Sequence, residues 1–189
     1  MNRTISAWRG VFASVIVIIS LSVRQAAAVE ALLLQDSYVD YENPTTTYGD
    51  SGDLRVSKNK FGSIRAFLKF STATLPPGTV ASDIKQARLR LWVNSSTEPC
   101  GSCIAGVDVP PAVGSITLIP VTSEWSESSL NEANIANLNF GLPQHEGVMI
   151  TGIGSFVGID VTDWVQAWLD ETLTNEGGTE GVSLRISAN

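Results

Sequence analysis

The amino-acid sequence predicts an all-β fold: an antiparallel jelly-roll β-sandwich with one short helix near the C-terminus. The first observation is that apolar residues recur at every second position in residues 64–70 and 87–93. Because successive strand side chains point to opposite faces, each segment predicts a strand with one apolar face on a core. The second is that turn residues separate about eight such short runs. The third is that only one segment has clear helical spacing.

The first 28 residues predict a secretory signal peptide. Arg3 and Arg9 precede an apolar run at 11–23, and three alanines at 26–28 follow. This order is typical of a signal peptide, with cleavage expected after Ala28. The alternative, a membrane anchor, is disfavoured because the run is shorter than the roughly 20 residues that span a bilayer. We therefore expect a single domain, residues 29–189, that is secreted and lies outside the cell or at its surface.

The domain is strongly acidic. Residues 29–189 retain 9 of the 12 basic residues and all 19 acidic residues, for a net charge of −10. Such a chain repels nucleic acid and anionic lipid, so we expect neither nucleic-acid binding nor membrane insertion.

Strands alternate with turns along the domain. The predicted strands are residues 29–40, 54–58, 64–70, 87–93, 115–121, 148–151, 155–159 and 181–187. The segment Leu75 to Thr79, LPPGT, predicts a turn after the third of these, because proline lacks an amide donor and glycine turns the chain. Pro120 predicts the edge or the end of its strand, and Ser126 or Ser128 could begin a short helix.

The one clear helix is predicted over residues 160–171. Asp160 or Thr162 can cap its N-terminus. Its apolar residues recur every three or four positions and form one stripe: Val161, Trp164, Val165, Trp168 and Leu169. Such a stripe packs on a core.

The two cysteines, Cys100 and Cys103, predict a small disulfide that closes a loop. The same C-x-x-C spacing occurs in redox sites, which remain the alternative. An exported protein without a following helix pattern favours the structural disulfide.

Catalysis is not predicted. The only histidine, His145, lies in a polar stretch and is interpreted as a solvated loop residue. The sequence contains no G-x-S-x-G, and the glycine-rich residues 152–158 lack the spacing of a phosphate-binding loop. Acidic residues that could cleave glycosides are plentiful, but their abundance does not define a site. We therefore expect a protein that is not an enzyme.

Calcium is the one cofactor that the sequence suggests. Asp36, Asp40, Asp50 and Asp53 cluster around the first loop, and carboxylate-rich loops can hold Ca²⁺. The spacing matches no defined calcium loop, so solvated acidic side chains remain the alternative.

Carbohydrate binding requires exposed aromatic rings beside hydrogen-bonding groups. The rings not assigned to the core are Tyr41, Tyr48, Trp92 and Trp125. Trp92 points away from Leu91 and Val93, which predicts that it lies on the outer face of a sheet or under the helix.

Several short sequence segments, taken in their order along the chain, resemble a known family. QDSYVD at residues 35–40 is followed by TTYGDSGDLRV, RAFLKFSTATLPPGT, ARLRLWV, TSEWSES, DVTDWVQAWL and EGVSLRI. This order is similar to the DNRLRE-type domain, a jelly-roll module of secreted proteins, some of which act as carbohydrate-binding modules. The resemblance covers residues 35–186. It implies that the core includes Leu68, Phe70, Leu89, Leu91, Trp164 and Trp168.

The resemblance also predicts a missing strand. Family members continue beyond the strand equivalent to residues 181–187, whereas this chain ends at Asn189. An incomplete sheet exposes backbone donors and acceptors that could pair with another chain. The predicted donor segment is apolar: Val29, Ala31, Leu32, Leu33 and Leu34. The alternative is that the chain's own N-terminal strand covers the gap.

Two functions follow from the sequence. The first is a structural subunit of an extracellular filament or surface assembly, in which copies of the chain join by strand donation. The second is a carbohydrate-binding or adhesive module whose partner is a polysaccharide. Both are non-catalytic.

Overall fold

Strands dominate the architecture. The computed structural model describes residues 28–59, 62–93, 114–141, 145–150, 154–170 and 181–188. In chain order the elements are β1 Leu33–Asp40, β2 Ser57–Asn59, β3 Gly62–Ser71, β4 Arg88–Val93, β5 Gly114–Pro120, β6 His145–Ile150, β7 Ser155–Asp160, α1 Thr162–Leu169 and β8 Gly181–Ala188. The prediction of an all-β sandwich with one short helix is confirmed. The predicted disulfide and residues 1–27 of the predicted signal peptide lie outside the described residues.

Two antiparallel sheets contain these strands. The larger sheet has the order β1-β3-β8-β5-β6, with β2 paired to the start of β3. The smaller sheet pairs β4 with β7. Since β8 lies between β3 and β5, the last described strand is central and has neighbours on both sides.

The inner core fills the space between the two sheets. Its buried members come from both sheets and from α1: Tyr38, Ala66, Leu68, Leu89, Ile116, Leu118, Ile159, Val161, Trp164, Leu184 and Ile186. The expected core positions Leu68, Leu89 and Trp164 are buried, and Phe70, Leu91 and Trp168 pack against them half-buried. The period-two alternation of β3 and β4 therefore predicted the inner faces of both sheets.

A second core lies on the outer face of the larger sheet. Phe67 of β3 is 0% exposed, and Val39 of β1 is buried beside it. The segment after β5 covers them with Val121, Trp125, Leu130 and Ile135. The sequence predicted one buried face for β3, and this was wrong: both faces are buried.

Lys69 lies in this second core and has its charge satisfied there. Its Nζ donates to Glu124 Oε2 (2.7 Å) and to the carbonyl oxygen of Trp125 (3.2 Å). The same ammonium lies 5.7 Å from the centroid of the Trp125 ring. A buried cation is tolerated only with such partners, which explains a lysine on a buried strand face.

The covering segment contains no α-helix. Turns occupy residues 127–129, and a 3₁₀ helix follows at Ile135–Asn137. Asn131 and Asn134 each accept the other's backbone N–H through a side-chain oxygen. Such local bonds compete with helical ones, so the predicted helix start at Ser126 or Ser128 is wrong.

Part of the N-terminal apolar segment pairs with a strand of its own chain. Leu33 of β1 pairs with Phe70 of β3, and the carbonyl oxygen of Leu32 accepts the N–H of Ser71 (2.8 Å). Leu33 and Leu34 are therefore part of the chain's own sheet, which corrects their assignment to a donated strand. Val29, Ala31 and Leu32 precede that strand and are exposed.

Candidate functional site

An exposed pair of aromatic rings stands on the outer face of the smaller sheet. Trp92 of β4 is 54% exposed and Phe156 of β7 is 55% exposed. Their ring centroids are 4.8 Å apart, and the ring planes meet at 67°. Exposed apolar patches are candidates for interaction sites, so this pair is the candidate binding surface of the smaller sheet.

The register of β4 and β7 brings the two rings together. Trp92 lies directly opposite Phe156 in the ladder, and Leu91 lies opposite Val157. Leu91 and Val157 pack on the inner core. Because residues directly opposite each other share a face and neighbours along the strand alternate, Trp92 and Phe156 must both point outward.

Arg90 and Gly158 extend this surface along the sheet. They are opposite each other in the ladder, one step along the outer face from the ring pair. The guanidinium carbon of Arg90 lies 4.3 Å from the centroid of the Phe156 ring. Nothing lies within 4 Å of where a Cβ on Gly158 would stand, so this glycine leaves open space beside the arginine. We call Arg90, Trp92, Phe156 and Gly158 the aromatic face.

The end of the smaller sheet is fastened to the start of α1. Asp160 Oδ1 accepts the Thr162 backbone N–H (3.0 Å) and the Thr162 hydroxyl (2.5 Å). These bonds, the hydroxyl first, lower the pKa of Asp160 below its usual value. The Thr162 hydroxyl oxygen also accepts the N–H of Ala87 (2.9 Å), just before β4. Asp160 and Thr162 thus hold both strands of the aromatic face to the helix, but the prediction that one of them is the N-cap is wrong, because the N-cap is Val161 and no side chain caps the helix.

A comparison with protein families identifies the chain. The model of carbohydrate-binding module family 96 matches residues 27–177. The chain belongs to this family. The match covers the aromatic face and every strand except β8. A search of curated proteins with this chain found no match. The resemblance predicted from the sequence is confirmed as far as a carbohydrate-binding-module-like domain, while the DNRLRE name is not confirmed.

Of the rings predicted from the sequence, Trp92 alone belongs to the aromatic face. Phe156 and Arg90 were missed. The alternation of Phe156 with Val157 and Ile159 could have indicated that Phe156 points outward. Only the pairing of β4 with β7 shows that it meets Trp92, because these strands are far apart in the sequence.

Tyr41 and Tyr48 lie near the end of β1, on the larger sheet. Tyr41 is 56% exposed, and its ring lies against Gly62, where an added Cβ would come within 2.4 Å of ring carbons. Tyr48 stacks on Tyr38 at 4.1 Å, and its hydroxyl donates to Asp40 Oδ2 (3.5 Å). Burial, followed by the charge of Asp40, raises the pKa of Tyr48. Tyr41 and Tyr48 therefore do not extend the aromatic face.

Trp125 is a core residue, which corrects its assignment to a sugar-binding surface. It is 7% exposed. Its indole Nε1 donates to Ser183 Oγ (2.6 Å), and its ring meets Phe67 edge-on at 5.9 Å. A ring buried to this extent has no open face on which a sugar could stack.

The carboxylates predicted to hold calcium are not gathered into one cluster. Asp40 accepts the N–H of Glu42 (2.9 Å) and the side-chain amide of Asn43 (2.7 Å). Asp50 and Asp53 are exposed. Asp36 lies in β1, where burial and then Glu127 raise its pKa. Within the described ranges, no three His, Cys, Asp or Glu side chains form a metal site. Calcium binding here stays an untested prediction.

The sequence predicted that His145 is a solvated loop residue, and this prediction is wrong. It is the first residue of β6, and its ring lies edge-on to the core ring of Trp164 at 4.3 Å. Its Nε2 is 3.8 Å from Asp163 Oδ1 in the first turn of α1.

Among the described residues, no helix is long and apolar enough to cross a membrane.

Proposed function

We propose that this protein is a secreted, non-catalytic module that binds carbohydrate on the aromatic face. The observation that carries the proposal is the exposed contact between Trp92 and Phe156 in a chain of carbohydrate-binding module family 96. This family match favours the second function predicted from the sequence over the first, a filament subunit.

Exposed rings suit a sugar because a pyranose is amphipathic. One face of a pyranose carries mainly C–H groups, which pack on an aromatic ring whose face is partly negative. Its hydroxyls remain at the rim, where the guanidinium of Arg90 can donate hydrogen bonds. The position of Arg90 over Phe156 keeps this donor beside the rings.

The angle between the rings selects the form of the polysaccharide. Because the planes of Trp92 and Phe156 meet at 67°, they cannot both lie flat on one planar surface. One ring can stack on the face of a sugar while the other ring contacts the edge of the same sugar. This arrangement fits one sugar chain in solution better than the flat surface of a crystalline polysaccharide.

Binding to soluble polysaccharides tests the proposal. The protein without residues 1–28 is titrated with a panel of neutral and charged soluble polysaccharides by calorimetry. We expect Trp92→Ala and Phe156→Ala each to weaken binding of the recognised polysaccharide by about tenfold or more, since central aromatic side chains carry much of an interface's binding energy.

Met149→Ala is the matched control, because Met149 is an exposed apolar residue of β6, on the larger sheet. This variant should bind like the unmodified protein. Unchanged affinity of both aromatic variants, with far-UV circular dichroism showing that they are folded, would contradict the proposal. Sedimentation with microcrystalline polysaccharide tests the ring-angle argument, and we expect little bound protein.

A further inference from the structure

Two arginines share the outer face of the larger sheet, away from the aromatic face. In the ladder between β3 and β8, Arg65 is opposite Ser187, and Phe67 is opposite Arg185. Arg65 and Arg185 are therefore diagonal neighbours on one face, a separation of about 7–8 Å that long side chains readily span. We call Arg65, Arg185 and Ser187, with Glu132 and Phe140 beside them, the guanidinium notch.

Only one of these arginines has an acidic partner among the described residues. Arg65 Nη2 donates to Glu132 Oε1, and both side chains are largely buried. Arg185 makes no ion pair within the described part of the chain. Three charged side chains thus leave the notch with a net charge of +1.

The ring of Phe140 lies beside the guanidinium of Arg185. The guanidinium carbon lies 4.3 Å from the centroid of the Phe140 ring, a cation–π contact rather than a hydrogen bond to the N–H donors. Phe140 is 37% exposed and Arg185 is half-buried, although its Nε atom is itself buried.

Several polar atoms of the notch lack hydrogen-bond partners. Within the described residues these are Arg65 Nε, Arg185 Nε, Ser187 Oγ and Glu132 Oε2. Burial, followed by the charge of Arg65, lowers the pKa of Arg185. A partly desolvated cation beside a like charge is unfavourable unless an anion pairs with it.

We propose that the guanidinium notch binds an oxyanion, such as a carboxylate or phosphate, through Arg185 with Ser187 as a second donor. The planar fork of a guanidinium matches two oxygens of such a group and forms charge-assisted hydrogen bonds. The bound anion neutralises the surplus charge of the notch. This inference is independent of carbohydrate binding, because it uses the opposite sheet.

Matched small molecules test this inference on the protein without residues 1–28. Acetate and acetamide have similar shapes but differ in charge, and phosphate represents a tetrahedral oxyanion. At constant ionic strength set with chloride, we expect acetate or phosphate to shift the amide resonances of residues 65, 185 and 187. Either anion should also raise the midpoint of thermal unfolding. Acetate alone would identify a carboxylate site, and phosphate alone a phosphate site.

Arg185→Met keeps an apolar stem on Phe140 and removes the charge, so it should weaken anion binding by about tenfold or more. If this variant does not fold, Ser187→Ala provides the smaller change and should also weaken binding. Lys85→Met is the control, because Lys85 is an exposed cation bonded to the Ser82 carbonyl. It should bind like the unmodified protein.

Three results would overturn the inference. One is equal binding of acetamide and acetate. Another is unchanged anion binding in folded Arg185→Met and Ser187→Ala. The third is the absence of resonance shifts with both anions.

Discussion

Tryptophans in this module have opposite roles that depend on the surface beneath each ring. Trp92 lies on the outer face of a two-stranded sheet and is exposed, whereas Trp125 lies over β3 and is buried. Trp164 faces the inner core from α1. The buried indole of Trp125 donates to Ser183 Oγ, whereas the buried Nε1 of Trp168 has no partner among the described residues. Residue type alone therefore does not distinguish a binding ring from a core ring.

Asp36 contributes to the pH dependence of stability with a sign opposite to that of Asp160, whose pKa is lowered. Burial and Glu127 raise its pKa, so the folded protein binds this proton more tightly than the unfolded chain. The free energy of unfolding therefore increases as the pH falls through the raised pKa. We expect Asp36→Asn to raise the midpoint of thermal unfolding at pH 7. This advantage should disappear near about pH 3, where the carboxyl is protonated in both states.

Thermal unfolding followed by circular dichroism across this pH range measures the effect. Asp50→Asn is the control, because Asp50 is an exposed carboxylate in the following loop. An Asp36→Asn midpoint at neutral pH equal to or below that of the unmodified protein would show that the Asp36 carboxylate is not destabilising.

Turns decide where the strands of this module end. The predicted LPPGT turn is confirmed: Thr79 N–H donates to the carbonyl oxygen of Pro76 (3.1 Å), and Gly78 has φ +80°. Pro77 before a glycine with positive φ is typical of a type II turn. Pro120 is the last residue of β5, as predicted. The helix prediction was also correct in place, with ends two residues inside the predicted range.

Gly78→Ala tests the conformational requirement of this turn. Nothing lies within 4 Å of an added Cβ there, so the cost comes from the backbone alone. An L-residue in the left-handed region should lower the free energy of unfolding by about 1–2 kcal/mol. Gly114→Ala is the matched control, because its Cβ also meets open space and its φ is not positive.

Urea unfolding of both variants supplies the comparison. Equal free energies of unfolding for Gly78→Ala and Gly114→Ala would mean that the turn relaxes to a conformation that alanine accepts.

In the described part of the molecule, two layers of apolar contact lie on the two faces of the larger sheet. The inner core joins the larger sheet to the smaller sheet and α1, and the second core joins it to the segment after β5. The smaller sheet is buried on its inner side only. The residues of the aromatic face lie on its outer side and are therefore exposed. The proposed sugar-binding rings are therefore exposed because no segment among the described residues covers the outer face of the smaller sheet.

Adjacent substitutions in β3 test this arrangement. Phe67 and Leu68 point to opposite faces and are both buried. We expect Phe67→Ala to lower the free energy of unfolding by about 3–5 kcal/mol and Leu68→Ala by about 2–5 kcal/mol, since each leaves a cavity. A sheet with one solvated face would show a large loss for Leu68→Ala alone. Chemical denaturation measures both, and a loss below 1 kcal/mol for Phe67→Ala would contradict the second core.

The amino-acid sequence determined most of the strands, the turn at Gly78, the helix and the inner face of the larger sheet, but β2 begins three residues later and β6 three residues earlier than predicted. These depend on local rules: side-chain alternation, proline and glycine geometry, and helical spacing. Tertiary structure decided the second core, because Phe67 becomes buried only when a segment more than fifty residues later crosses the sheet. It also decided the candidate binding surface, because Trp92 meets Phe156 only through a ladder between strands distant in the chain. Local sequence contains no information about which distant strand becomes a neighbour.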